Sequence, residues 1–387
     1  MSNKLLVPQI RFKEFTNAWE QEKLGNLTIL NRFPQISAQR LWELNQYFGE
    51  VFLLPSSDNN NWKCKYSKEI ANLINTGEVI TIGRARNPNV KYVNGAFISS
   101  QNHIIESKTT DALLNKFLYL FITKVGKKFY GFESTYPMFT KIDFLNTKFS
   151  FPIVSEQIKI IKTIDILDFL ITLHQRKLLS LKNLKSRLLD RMFCDEKSQF
   201  PSIRFKEFTN TWEQEKLGNL TILNRFPQIS AQRLWELNQY FGEVFLLPSS
   251  DNNNWKCKYS KEIANLINTG EVITIGRARN PNVKYVNGAF ISSQNHIIES
   301  KTTDALLNKF LYLFITKVGK KFYGFESTYP MFTKIDFLNT KFSFPIVSEQ
   351  IKIIKTIDIL DFLITLHQRK LNSLKNIKNT LLNKMFV

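Results

Sequence analysis

Cysteine and histidine are scarce, with three of the former (Cys64, Cys194, Cys257) and four of the latter (His103, His174, His296, His367) in 387 residues. That supply builds no disulfide framework and fits no structural zinc spacing, so no metal and a reducing, cytoplasmic compartment are expected. Long apolar runs are missing as well. The greasiest stretches, such as Phe117–Ile122, fall far short of the roughly 18 residues that span a bilayer, and the opening Met-Ser-Asn-Lys-Leu-Leu-Val-Pro-Gln has no signal-peptide core. Membrane and secreted classes are therefore set aside. Acidic charge is also in deficit, 33 Asp and Glu against 53 Lys and Arg, a formal charge of +20. With 43% hydrophobic and 13% aromatic residues, this is a globular chain whose surface seeks a polyanion, not a disordered basic tail.

What is present, twice, is one unit. Ile10-Arg11-Phe12-Lys13-Glu14-Phe15-Thr16-Asn17 recurs 193 residues later as Ile203 to Asn210, and Trp19–Leu178 matches Trp212–Leu371 without a substitution. A period this long is not that of a stacked solenoid and fits two whole domains. Within each unit the first 150 or so residues read as a mixed head. Strand-like runs occur at Glu78–Ile82, Lys91–Ile98 and His103–Ile105. Turn signals occur at Asn75-Thr76-Gly77 and Asn94-Gly95, and a helix is expected around Thr110–Lys124.

From Ser155 the pattern changes. Ser155 is an N-cap candidate with Glu156 in the first turn, and neither Gly nor Pro follows before Phe193. Ile164, Leu167, Ile171, His174, Leu178, Leu181, Lys185, Leu188 and Met192 step by alternating three and four, a heptad seam over a helix of about 58 Å. The late differences between copies, Leu179/Asn372, Leu184/Ile377, Ser186/Asn379, Arg187/Thr380, Asp190/Asn383 and Arg191/Lys384, all avoid that seam. Only about ten residues, Cys194 to Ile203, separate the first long helix from the second head. Burying the two seams on each other therefore sends the helices antiparallel.

Two equivalent basic heads on a helical spacer match the repeat of duplex DNA, whose turn is about 34–36 Å. The candidate contact residues lie in three polar runs. The first, Thr81 to Tyr92, offers Arg84, Arg86, Asn87, Lys91 and Tyr92; the second offers Ser100, Gln101, Asn102 and His103; the third offers Thr135, Tyr136 and Lys141. Their counterparts are Arg277, Arg279, Asn280, Lys284 and Tyr285, then Ser293, Gln294, Asn295 and His296, then Thr328, Tyr329 and Lys334. Arg reads guanine with two donors, and Asn or Gln reads adenine. Catalytic patterns fail. Asn87-Pro88-Asn89 lacks the third residue of the amino-methyltransferase motif, no phosphate loop exists, and Glu106-Ser107-Lys108 lacks the second carboxylate of a nuclease.

The order head, long helix, head, long helix carries a further signature. Trp19-Glu20-Gln21-Glu22-Lys23-Leu24-Gly25 opens a head, and Pro152-x-x-Ser155-Glu156-Gln157 opens a helix that ends in Lys182-Asn183-Leu184-Lys185-x-x-Leu188-Leu189-x-x-Met192-Phe193. Together they resemble the DNA-specificity subunit of type I restriction-modification enzymes. The resemblance implies an α+β fold, with two near-identical mixed α/β target-recognition domains (1–153 and 194–346) separated by two long antiparallel coiled-coil helices (154–193 and 347–387), with pseudo-two-fold symmetry. It further implies a non-catalytic reader of double-stranded DNA that docks two methylation subunits, which carry S-adenosylmethionine, and two restriction subunits. The chain itself would hold no cofactor. It departs from the family in having matching heads, which points to an inverted-repeat target. A stand-alone DNA-binding repressor or architectural protein is the alternative.

Overall fold

The computed structural model describes residues 6–131, 136–195, 198–324 and 330–387. The chain divides into two compact units that do not coincide with its repeats: Met1–Gln175 together with Arg369–Val387, and Arg176–Gln368.

The first repeat begins with β1 (Glu20–Lys23), α1 (Leu24–Leu27), β2 (Thr28–Leu30), α2 (Ala38–Glu43), β3 (Val51–Leu54) and β4 (Lys63–Cys64). Then come β5 (Asn75–Gly83), β6 (Lys91–Ser99), β7 (Asn102–Ser107), α3 (Asn115–Val125), α4 (Lys141–Asn146), β8 (Lys148–Phe151) and the long α5 (Val154–Met192). Six of the strands form one sheet in the order β2-β7-β5-β6-β3-β4. All pairs in it are antiparallel except β3 with β6. Central β5 is buried without alternation through Val79-Ile80-Thr81-Ile82, all four fully, as a strand covered on both faces requires. The second repeat carries the same elements 193 residues on, ending in the second long helix, Val347–Lys384.

Both turn signals lie inside strands. Asn75-Thr76-Gly77 starts β5 and pairs with Phe97-Ala96-Gly95 of β6, and Asn94-Gly95 falls within β6. Gly95 is there for its backbone, at φ +141°, a conformation glycine adopts freely, and it keeps its ladder pairing with Gly77. The expected helix at Thr110–Lys124 begins at Asn115. Leu114 before it is extended, its N–H held by the Gln157 side chain at 2.9 Å.

The Ser155-Glu156-Gln157 motif fastens α5 to its head. Strand β8 pairs with β1 and delivers the chain to the helix start. There Gln157 donates to the carbonyls of Ala112 and Pro152 at 2.7 and 2.8 Å. Glu156 receives two parallel bonds from Arg11, each 2.8 Å. Both motif side chains are fully buried, so the first turn of the helix is a polar knot inside the head. Glu349, Gln350 and Arg204 repeat it in the second unit.

In each unit, the start of one long helix packs on the end of the other. Ile160 and Ile164 share the core of the first unit with Leu382, Met385 and Phe386, and Asp168 meets Lys378 at 2.5 Å. As numbers rise on one helix they fall on the other, so the pairing is antiparallel. The second unit repeats it with Ile353, Ile357 and Leu360 against Leu189, Met192 and Phe193, and Asp361 holding Lys185 at 2.6 Å. The seam's polar Lys185 is thus an ion-pair partner on the opposite helix. The six late differences between copies are exposed on both helices. Among the described residues no helix is long and apolar enough to cross a membrane.

Candidate nucleic-acid interface

Strand β5 ends at Gly83, and the chain turns into Arg84-Ala85-Arg86-Asn87. The Gly83 N–H bonds to the Pro88 carbonyl at 2.7 Å, closing the turn on itself. A Cβ on Gly83 would sit 3.0 Å from the Asn87 carbonyl oxygen and 3.1 Å from that of Ser56, so only glycine lets these segments meet. A second segment, Pro137-Met138-Phe139, lies along the turn. Arg86 N–H donates to the Pro137 carbonyl at 2.7 Å, and Phe139 N–H to that of Arg84 at 2.9 Å. Arg84 N–H in turn reaches the carbonyl of Gln101, in the turn between β6 and β7, at 3.2 Å.

These segments enclose an open cleft of about 690 Å³, lined by Ser56, Ser57, Asp58, Arg84, Ala85, Arg86, Asn87, Asn89, Gln101, Tyr136 and Met138. In the second unit Ser249, Ser250, Asp251, Arg277, Ala278, Arg279, Asn280, Asn282, Gln294 and Met331 line a cleft of about 560 Å³. Three cleft residues, Arg86, Asn89 and Gln101, hold left-handed backbone at φ 67°, 40° and 56°. Such conformations cost about 1–3 kcal/mol each and persist where surrounding bonds impose them. The Arg86 guanidinium lies over the Tyr136 ring, 5.0 Å from its centroid, which limits its freedom while leaving its donors available. Two guanidiniums, two amides and an amide-bearing turn in one open cleft can recognise the acceptor-rich edges of base pairs.

Of the residues expected from sequence, Arg84, Arg86, Asn87, Gln101 and Tyr136 come together here, as do Arg277, Arg279, Asn280 and Gln294. Others turn inward. Lys91 is buried and donates to the carbonyls of Pro55 and Ser57 at 2.6 and 2.5 Å. Burial lowers its pKa to about 8, against a weaker upward pull from Asp58. Lys284 is its equal, tied to Pro248 and Ser250. Asn102 is fully buried, donating to the Leu54 carbonyl at 2.7 Å, and Asn295 repeats this with Leu247. Ser100 and Ser293 are buried beside them. The buried lysines and asparagines satisfy backbone carbonyls inside the head, a role that sequence does not separate from an outward one.

Tyr92 and Tyr285 give their hydroxyls to Glu78 and Glu271, each at 2.6 Å. Burial, reinforced by those carboxylates, raises both phenol pKa values. His103 stacks on Phe139 with ring centroids 4.4 Å apart, and its Nδ1 meets the Asn31 amide at 3.2 Å. Burial lowers its pKa, and the positive charges of Arg84 and Lys141 add to the effect. For His296, with the same surroundings, the value falls to about 4. Lys141 and Lys334 are exposed at the first residue of their helices. Thr135, Thr328 and Tyr329 lie outside the described residues.

Sequence reasoning passed over Ser56, Ser57 and Asp58, and left Asn89 and Met138 unnamed within the polar runs that contain them. A signal existed for the first three, since Ser56-Ser57-Asp58 follows the apolar Val51–Leu54 just as Ser100-Gln101 follows Phe97-Ile98. Both are polar runs leaving a buried strand at one rim.

The family model for the type I restriction modification DNA specificity domain matches the chain twice, over residues 17–183 and 209–376. No curated protein matches. Among solved structures the chain is similar to the S subunit of a type I restriction-modification system from M. genitalium, with 16% identity and a TM-score of 0.68 over 98% of this chain and 99% of that one. It is also similar, at 14% identity and a TM-score of 0.54, to a chain solved for the complex assembly and conformational transition of the type I R-M system. That pair covers 95% of this chain and 97% of the other. At these identities the likeness is one of fold.

Proposed function

Since the chain belongs to the family of type I restriction-modification DNA specificity domains, we propose that each head reads one half of a bipartite duplex target through its arginine-lined cleft. The observation that carries this reading is the cleft itself. The same Arg, Asn and Gln side chains converge in both units, on a chain of net charge +20. Phosphate attraction supplies general affinity, and the cleft side chains supply discrimination between base pairs. Because the heads match and the helix segments pair antiparallel, the two half-sites are the same sequence in inverted orientation.

The long helices, on this reading, position the methylation and restriction subunits. Supporting it, Ile166, Phe169 and Leu173 are 61%, 67% and 50% exposed along one helix, and Ile359, Phe362 and Leu366 repeat them on the other. Apolar rows of this size left in solvent mark protein interfaces. S-adenosylmethionine belongs with the methylation subunit.

Methylation mapping of the host genome tests the proposal. It should find one bipartite motif with matching inverted half-sites, and that motif should lose its methylation when the gene is deleted. Two unrelated half-sites would refute the inverted repeat, and methylation indifferent to the deletion would refute the targeting role.

A further inference from the structure

A carboxylate lines a cleft built for a polyanion. Asp58 is exposed at the rim and shares the cleft with Arg84 and Arg86, and Asp251 does the same with Arg277 and Arg279. Toward a phosphate it is repulsive, so general DNA affinity does not account for it. Its charge favours the ammonium of buried Lys91, but among the described residues its carboxylate forms no ion pair and stays open to the cleft.

The loop that carries Asp58 is held by buried bonds. Lys91 grips the carbonyls of Pro55 and Ser57 from inside the head, and Asn89 donates to that of Ser56 at 2.7 Å. Three consecutive carbonyls just before the carboxylate are thereby fixed. An ammonium buried at the cost of a pKa lowered to about 8 is a large outlay for an idle surface loop, and it makes sense if the position of the next residue matters.

The chemistry of the two charges together identifies a ligand. In the major groove a G·C pair shows two acceptors on guanine, O6 and N7, and one donor on cytosine, the N4 amino group. An arginine fork answers the first and a carboxylate the second. We propose that Asp58, and Asp251 in the second head, accepts a hydrogen bond from the cytosine N4 amino group of a G·C pair whose guanine is bound by a cleft arginine. This rests on the DNA-reading role of the cleft and specifies one base pair in each half-site.

Selection of bound duplexes from a random library tests it, with the full chain in complex with its methylation subunits. The wild type should enrich a motif with a G·C pair at matching positions of the two half-sites. Asp58→Asn should lose about tenfold or more of the preference at one of those positions, leave the others intact, and bind unrelated duplex as tightly or more tightly. The double variant with Asp251→Asn should lose it in both half-sites. An unaltered motif, with affinity unchanged or raised equally for all sequences, would show that Asp58 acts only as a repelling charge and would overturn the proposal. If the wild type enriches no motif at all, the DNA-reading role of the cleft fails and this inference with it, an outcome distinct from the previous one. Because Asp58 is exposed, both variants should keep the wild-type melting temperature.

Discussion

Phe386, the last aromatic of the second repeat, stacks on Phe117 in the first head, ring centroids 5.0 Å apart at 25°. Phe193 makes the same contact with Phe310 in the second head, at 4.9 Å and 27°. Each head core is closed by a residue of the other repeat. We expect Phe386→Ala and Phe193→Ala each to cost about 3–5 kcal/mol, the usual range for a buried aromatic. Denaturant unfolding should show the two losses to be equal within error, because the surroundings match.

The same reciprocity makes a single repeat self-complementary. A chain of residues 1–193 carries both Phe117 and the Phe193 that fills the role of Phe386. It should associate as a pair in sedimentation, each copy closing the head of the other, and Phe193→Ala should make it dissociate. A well-folded single repeat that stays monomeric would show that the heads close without the stacked ring.

The buried knot at the helix start is equally exposed to test. Glu156 is 1% exposed at its side chain and takes both bonds from Arg11. Arg11→Ala leaves that carboxylate buried and unpaired, for which about 3–5 kcal/mol is the expected loss. Thermal unfolding of Arg11→Ala beside the double variant Arg11→Met with Glu156→Leu should show the double variant recovering most of it.

Histidine sets an acid limit. The folded pKa of His296 is about 4, below its ordinary 6.5, and that of His103 is lowered in the same direction. Between these values the unfolded chain takes up protons that the folded chain refuses, so stability is full above about pH 6.5 and is lost as pH falls toward 4. Denaturant midpoints at pH 7 and pH 5 should differ, and the difference should shrink in the variant with both His103→Asn and His296→Asn.

Lys91 separates positioning from contact. Lys91→Met frees the loop before Asp58, so specific DNA affinity should drop about tenfold while the slope of log affinity against log salt stays unchanged. A lysine that meets phosphate would instead lower that slope by about one. Arg86→Ala, by contrast, should cost about 1–3 kcal/mol and relax one base position.

The long helices were legible in the sequence because their seam repeats over many turns, and burial of Ile164, Ile171, Leu178 and Leu181 follows it. The cleft was legible where its residues are consecutive, as with Arg84, Arg86 and Asn87. Asp58 was not, because it lies 26 positions before Arg84 and only the sheet brings them to one rim. Lys91 was misplaced for a different reason: a lysine at a strand end reads alike whether it faces phosphate or a ring of carbonyls. Asn94-Gly95 misled because a glycine with positive φ, the mark of a tight turn, also sits within a strand when both flanks keep their ladder partners.

The division of the chain sets an order of completion. The second unit is one uninterrupted stretch, Arg176–Gln368, whereas the first needs Arg369–Val387 to be whole. During synthesis the head that emerges first is therefore finished last. Until Phe386 arrives, the ring of Phe117 and the neighbouring Trp19 lack their cover, and the waiting surface is the same one that the end of the first long helix is shaped to fit. A nascent first head and a neighbouring chain's free helix end are thus mutual substrates for exchange, and crowded polysomes are where swapped dimers of this protein should arise.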